Sequence, residues 1–501
     1  MFLRLFSRFR RRRAEEGQPE SPVVEVIRAA NLGDAEAQAK LGAALEQGEG
    51  VLRSPVDAVA WYRRAAEQGH AGAQFNLARF YLRGCEEPLH DLSPEAVAQL
   101  FPNGLSVDRD PVEARRWARA AAEQGNVPAQ SLLAGLLAGG QGGDIDYAEA
   151  QVWYEKAAAA GDAEGQLGLG ILSSGGYLGA ADHAAGAAWF EKSAAQGNLG
   201  ACYYLAVIFN QGLGTAPDEK RAAEMARHAA EGGIPGGQRL LGWFLMNGRG
   251  VGRDLFQAET WLRRAALQND AEAMALLGAL HSRGEGVRPN LVEAANWYRA
   301  AAELGHLEAQ KVIAQMYLTG SGVAADPITA ALWYKKAAEQ GDVTAIYNVG
   351  MLDQLGAAGK PDPEQALARF RAAAAQGNVQ AQFRLCVAYA LGDDVERDYV
   401  QAAHWARLAA EQNHAGAQAN LGRFLMQGYG VAQNHEEAAH WLRRAADAGV
   451  VEAMTALGEL HAGLWGGAAD PEQAALWLGR AADQDERARE ILAAQSAGDP
   501  K

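Results

Sequence analysis

Residues 273–305 read AMALLGALHSRGEGVRPNLVEAANWYRAAAELG. Ala273, Leu277 and Leu280 keep helical spacing, and so do Ala294, Trp297, Ala301 and Ala302. Between the two stretches, Gly284 and Gly286 make a Gly-x-Gly turn. Asn290 stands where a helix N-cap belongs, and Gly305 where a helix stops. The segment therefore predicts a helical hairpin. The fold is decided by its return. Trp117, Trp153, Trp189, Trp261, Trp297, Trp333, Trp405, Trp441 and Trp477 all lie on one 36-residue grid. Met225 and Arg369 fill the two grid points without Trp, and Trp61 holds the position in a first copy displaced by a 20-residue insertion. A fixed period of this length implies a solenoid of stacked hairpins and overrides a domain count taken from chain length.

Each repeat is numbered here from its Trp position. Three residues before it stands Ala or Gly, from Ala58 to Ala474, and five after it stands Ala in all twelve repeats, from Ala66 to Ala482. Small side chains on one face let neighbouring helix axes approach closely, and the Trp is expected to fill the space between layers. Eight after the Trp comes Gly in nine repeats, with Asn269, Asn413 and Asp485 in the others; these residues best tolerate the left-handed helix stop. Seven before it comes Asp in nine repeats, Asn290 and Asn434 in two, and Ser54 in one, all good N-caps. Leu-Gly or Leu-Ala twenty before the Trp (Leu41-Gly42, Leu77-Ala78, Leu241-Gly242) marks the first helix of the pair.

This pattern resembles the Sel1-like repeat, a relative of the tetratricopeptide repeat. The resemblance covers about residues 33–485. It implies an all-α, right-handed α/α superhelical solenoid of about twelve 36-residue helix-turn-helix repeats. It also implies a non-enzymatic adaptor or scaffold that binds a protein or peptide partner in its concave groove. Secreted relatives that lock each repeat with a disulfide offer no guide here. Cys85, Cys202 and Cys386 fall at three different phases and form no ladder, which points to reduced thiols.

The expected organisation is a basic amphipathic or disordered segment at 1–21, an N-terminal capping helix at 22–32, repeats over 33–485 with an insertion at about 84–103, and a C-terminal capping helix and tail at 486–501. In the first segment Phe2, Leu5, Phe6 and Phe9 follow helical spacing, with Arg4 and Arg8 elsewhere on the wheel. That pattern suits an anionic membrane surface or a partner, and a membrane-surface organiser is the alternative function. Residues 1–13 hold six Arg and no acid; removing those six charges from the net −15 leaves −21 on the remainder. Such an acidic chain is a poor nucleic-acid binder. No apolar run of 18 residues crosses a membrane. The expected location is the cytoplasm, with the inner face of the membrane as the alternative.

If the hairpins stack as in the tetratricopeptide class, the groove is lined by first-helix positions 22, 18 and 15 before the Trp. These supply Phe75, Arg79, Tyr203, Arg239, Trp243, Met246, Lys311, Tyr347, Met351, Phe383, Arg423 and Met426, and aromatic, Met and Arg side chains are what binding hot spots favour. Ser131, Thr455 and Glu459 belong to the same series. No catalytic, cofactor or metal site is expected, and no small-molecule substrate. His435 and His440 are five apart, so they point away from each other on a helix and fail the zinc-protease motif. His70, His306 and His414 share the turn between repeats and are expected to cap helices. A cell-wall hydrolase, suggested only by penicillin-binding relatives, lacks a Ser-x-x-Lys nucleophile motif here. In repeat 9, where Arg369 occupies the Trp slot, Phe370 is expected to take over the packing and the joint to be the loosest.

Overall fold

The computed structural model describes residues 22–86, 103, 105–284, 289–357, 359–466 and 468–497. Residues 1–21, most of the insertion including Ser93, Pro94, Glu95 and Phe101, and Gly286 lie outside them, and so do the expectations placed on Phe2, Arg4, Leu5, Phe6, Arg8 and Phe9. Among the described residues there are 26 helices, which form twelve helix pairs and two flanking helices, Pro22–Asn31 and Glu486–Ala497. A two-residue antiparallel ladder, Cys85–Glu86 with Ser106–Val107, closes the base of the insertion. The chain divides into two compact bodies, 1–264 and 265–501.

The helix ends follow the sequence. All twelve second helices begin at the predicted cap, whose side chain accepts a backbone N–H two or three residues on. Each such bond is worth about 1 kcal/mol. His70, His306 and His414 cap first helices, each accepting at Nδ1 from the amide three residues later. Eleven of the twelve predicted stop positions have positive φ, Asn269 and Asn413 among them. Asp485 is the exception: its repeat's second helix ends early, at Ala481, and its carboxylate instead accepts from the Arg487 amide at the start of the last helix.

The Gly-x-Gly turn has two jobs. Its first glycine ends the first helix, with Gly428 at φ 74°. Its second passes against the start of the preceding repeat's second helix; a Cβ on Gly430 would lie 1.9 Å from the Tyr399 carbonyl oxygen. Only Gly can hold both the dihedral and the approach.

The core lies where the paired helices meet, and there the residue after the Trp is set against the first helix. A Cβ on Gly42 would lie 2.8 Å from the Tyr62 ring, on Gly278 2.9 Å from Tyr298, on Gly350 2.8 Å from Phe370 and on Gly422 2.6 Å from Leu442. Where the first helix carries Ala78 or Ala206 instead of Gly, the second carries Ala118 or Ala226, and Cys386 faces Ala406. In these repeats volume across the joint is held roughly constant, whereas Ala134 and Ala314 stand opposite the larger Tyr154 and Tyr334. The Trp adds to the core beside this joint, buried at Trp117, Trp153, Trp333, Trp441 and Trp477, and a cation covers its ring in many repeats, as with Lys156 at 3.8 Å from the Trp153 centroid and Lys336 at 4.2 Å from Trp333. A glutamine chain links the repeats: Gln340 donates to the buried Gln310, and Gln310 donates to the Ala302 carbonyl of the preceding repeat. In repeat 9, Phe370 is buried as expected, and Arg369 does not idle; its Nε donates to Asp353 at 2.6 Å.

Candidate partner-binding face

Each first helix buries the arc that faces its own second helix and the preceding repeat. The opposite arc carries the positions 25, 22, 21, 18 and 14 before the Trp. The side chain 22 before the Trp leans towards the next repeat. Tyr203 packs against Gly236, where a Cβ would lie 2.6 Å from its ring, and edge-on to Tyr204. Phe383 lies 4.3 Å from the His414 ring. Burial of that imidazole pulls the His414 pKa down. Lys311 reaches Asp342 at 2.9 Å and Glu308 at 2.6 Å. Burial works to lower the pKa of this ammonium, but those two hydrogen bonds outweigh it and the net shift is upward.

Several expected groove residues are half-buried with one side presented outward. Arg79 lies 5.8 Å over the Phe75 ring and bonds Asn76 at 3.1 Å. Trp243 packs edge-on to Phe244 under Arg249, with the guanidinium carbon 5.2 Å from its centroid. Tyr347 leans on Phe370 at 5.7 Å. Arg239 and Met351 are half-buried and Arg423 is exposed, whereas Met246, 15 before its Trp, packs partly buried against the core.

Four expectations fail. Met426 is 1% exposed and belongs to the core, because the position 15 before the Trp turns towards its own second helix. The same direction is seen where Glu46 accepts from the Tyr62 hydroxyl at 2.9 Å. Ser131 and Thr455 are buried as well, each donating to an aspartate at the following turn, Asp162 and Asp485. Glu459 is 5% exposed, held by Arg487 and by the Trp465 indole N–H at 3.1 Å, so it seals the last repeat against the terminal helix.

The sequence reading also missed two residues. Leu355 and Leu391, the last residues of the first helices of repeats 9 and 10, are 70% and 57% exposed. The signal was available: 14 before the Trp, the other ten repeats carry Gln, Arg, Gly, Asn or Thr.

A stack of helical hairpins with a uniform interior and a variable outer arc defines a repeat protein. The Sel1 repeat family matches thirteen segments, 35–70, 71–86, 96–126, 127–162, 163–198, 200–234, 235–270, 271–306, 307–342, 343–378, 379–414, 415–450 and 451–486. The chain belongs to that family. The segments 71–86 and 96–126 are the two sides of the repeat that the insertion interrupts, so thirteen matches and twelve helix pairs agree. Among solved structures, the chain is similar to c5321, a protective antigen of uropathogenic Escherichia coli strains with an SLR fold. The two are 29% identical with a TM-score of 0.65, over 96% of this chain and 98% of that one. A Sel1 repeat protein of Oxalobacter formigenes is 30% identical over 61% of this chain and 89% of its own, with a TM-score of 0.49. Chitin synthase regulatory factor 3 of Schizosaccharomyces pombe is 33% identical over 134 residues, which span 23% of this chain and 14% of that protein. Sel1 and tetratricopeptide-like repeat proteins generally mediate protein–protein interaction. No described helix is long and apolar enough to cross a membrane.

Proposed function

We propose that this chain is a non-catalytic, cytoplasmic scaffold that holds a protein or peptide partner against the outer arc of its first helices. One observation carries the reading. The buried side of every repeat is built from the same few residue types, while the outer arc presents Phe75, Tyr203, Trp243, Tyr347 and Phe383 without repeating itself. Aromatic side chains that keep one face outward supply large contact area at small entropic cost, which suits a binding wall.

The test needs a partner in hand. Crosslinking and capture from the native cell identifies it, and the purified partner is then titrated against the wild-type chain and against Tyr347→Ala with Phe383→Ala. The expected result is a Kd raised about tenfold or more. An unchanged Kd for that pair and for Tyr203→Ala with Trp243→Ala sinks the reading. A second mode is favoured by the sequence of residues 1–13, whose six arginines and spaced phenylalanines suit an anionic bilayer. Flotation with anionic liposomes, with and without those residues, decides it: equal flotation of the two forms removes the membrane.

A further inference from the structure

We infer that the outer face of the first helices of repeats 9 and 10, Val343–Leu355 and Val379–Leu391, docks an acidic, aliphatic segment of a protein partner. This rests on the first-helix reading above and adds a place and a chemistry to it. Leu355 and Leu391 sit at a phase that is polar or Gly in the other ten repeats, so the hairpin itself has no need of a leucine there. Both are well exposed, at 70% and 57%. One turn earlier, at the same spacing on each helix, Met351 and Val387 are half-buried. Two neighbouring helices therefore carry parallel aliphatic stripes. Adjacent copies departing together from the rule of their repeat is the mark of a shared surface rather than of one tolerated change.

Charge selects the occupant. Arg384 stands one turn before Val387 on the same helix, and Arg423 holds the phase of Val387 on the next first helix. Both are exposed, and neither forms an ion pair among the described residues. Lys311, on an earlier first helix of the same body, is in contrast spent on Asp342 and Glu308. Beyond Leu391 the polarity reverses at the exposed residues Asp393, Asp394 and Glu396. A complementary segment covers the leucines with aliphatic or aromatic side chains and sets its carboxylates towards the two guanidinium groups, which bind carboxylates in a two-pronged geometry. The chain as a whole carries −15, so long-range electrostatics oppose an acidic ligand and the selectivity must come from these local contacts.

A random peptide library displayed on phage is selected on the immobilised full chain. A recovered peptide is then synthesised, along with a counterpart carrying Lys for every Asp and Glu, and both are measured by fluorescence anisotropy. The expected peptides join Asp or Glu to Leu, Ile or Phe. Their affinity falls about tenfold or more on Leu355→Asp with Leu391→Asp. On Arg384→Glu with Arg423→Glu the lysine counterpart becomes the better ligand. Peptides without an acidic bias, or peptides that bind the leucine variant as tightly as wild type, overturn the proposal. If they survive the leucine variant but are lost on Tyr203→Ala with Trp243→Ala, the first-helix reading stands and this location falls. If both variants bind them unchanged, or if nothing is enriched, the first-helix reading falls too.

Discussion

The helix Val343–Leu355 has two sides that obey different rules. Inward, Ala345, Val349 and Gly350 are almost fully buried, and Gly350 leaves just enough room for the Phe370 ring. Outward, Tyr347, Met351 and Leu355 meet solvent with part or most of their surface. The inner side repeats a few size matches, with Gly opposite Tyr, Phe or Leu in most repeats and Ala opposite Ala in two, while Ala134 and Ala314 stand opposite Tyr154 and Tyr334. The outer side varies far more, as at the position 22 before the Trp, which holds Phe75, Tyr203, Arg239, Lys311 and Tyr347. Stability is therefore written on the inner face, and the proposed recognition on the other face of the same element.

The sharpest break comes from the inner face. Gly350→Val places new methyl groups where a bare Cβ already falls 2.8 Å from the Phe370 ring, with the Ala366 carbonyl oxygen 3.3 Å away. Overpacking of this kind is expected to cost roughly 3 kcal/mol, read in a denaturant titration followed by circular dichroism. The double change Gly350→Ala with Phe370→Ala rebuilds the small-on-small joint of Ala78 and Ala118. It should be milder than the sum of its two single changes, because each relieves what the other disturbs. A strictly additive pair would show that volume complementarity is not what sets this joint.

Next in size is Asp353→Ala. Its carboxylate is 11% exposed and accepts from the Arg369 Nε at 2.6 Å, so the change strands a half-buried guanidinium. The expected loss is about 1–2 kcal/mol, discounted for the access of water to the arginine. A loss near zero would mean that this pair does not replace the missing Trp. Asp342→Ala follows, at about 1 kcal/mol, since it removes the cap on the Ala345 amide and the partner of Lys311. The comparison is built into the chain, because Ile234 and Val450 stand at the same phase with no side-chain cap.

A smaller effect depends on pH. His414 accepts the Ala417 N–H at Nδ1, and burial beside Phe383 holds its pKa below the usual imidazole value. The unfolded chain then takes up the proton more readily than the folded one. Its contribution to stability is complete above about pH 6.5, the ordinary histidine pKa, and is lost as pH falls through the lower folded value. Protonation also removes the acceptor that the cap requires. His414→Asn keeps a capping acceptor and should flatten the slope of stability against pH in that range; an unaltered slope would assign it to other groups.

Much of this was legible in the sequence, and the reasons are local. Caps, stops and small-residue positions depend on a few neighbouring residues, so a twelve-fold repeat exposes them by simple alignment of the chain with itself. In sequence, Gly42 and Gly278 mark a helix, whereas in the structure each is half of a size match with a residue twenty positions on, Tyr62 or Tyr298, which no single helix reveals. The glutamine chain from Gln340 through Gln310 to Ala302 likewise crosses helices and repeats. The candidate face came out less well. Helical periodicity places the positions 22, 18 and 15 before the Trp on one side, but it does not say which edge of that side leans onto a neighbour. That is why the spacing puts Met426 in the groove while the structure buries it, and why the spacing does not single out Leu355 and Leu391 at the outermost edge.

The smallest expected effect is also the most telling for the separation of faces. Leu355→Asp with Leu391→Asp exchanges two exposed leucines at helix ends, where ten other repeats already carry polar or Gly residues. Each acid enters the last turn of its helix, which the helix dipole slightly disfavours, while the loss of exposed apolar surface slightly favours it. The two nearly cancel, and the stability of the variant should stay within about 0.5 kcal/mol of wild type. A drop approaching that of Gly350→Val would mean that the leucines are covered in the folded chain, and the outer face would then belong to the fold rather than to a partner.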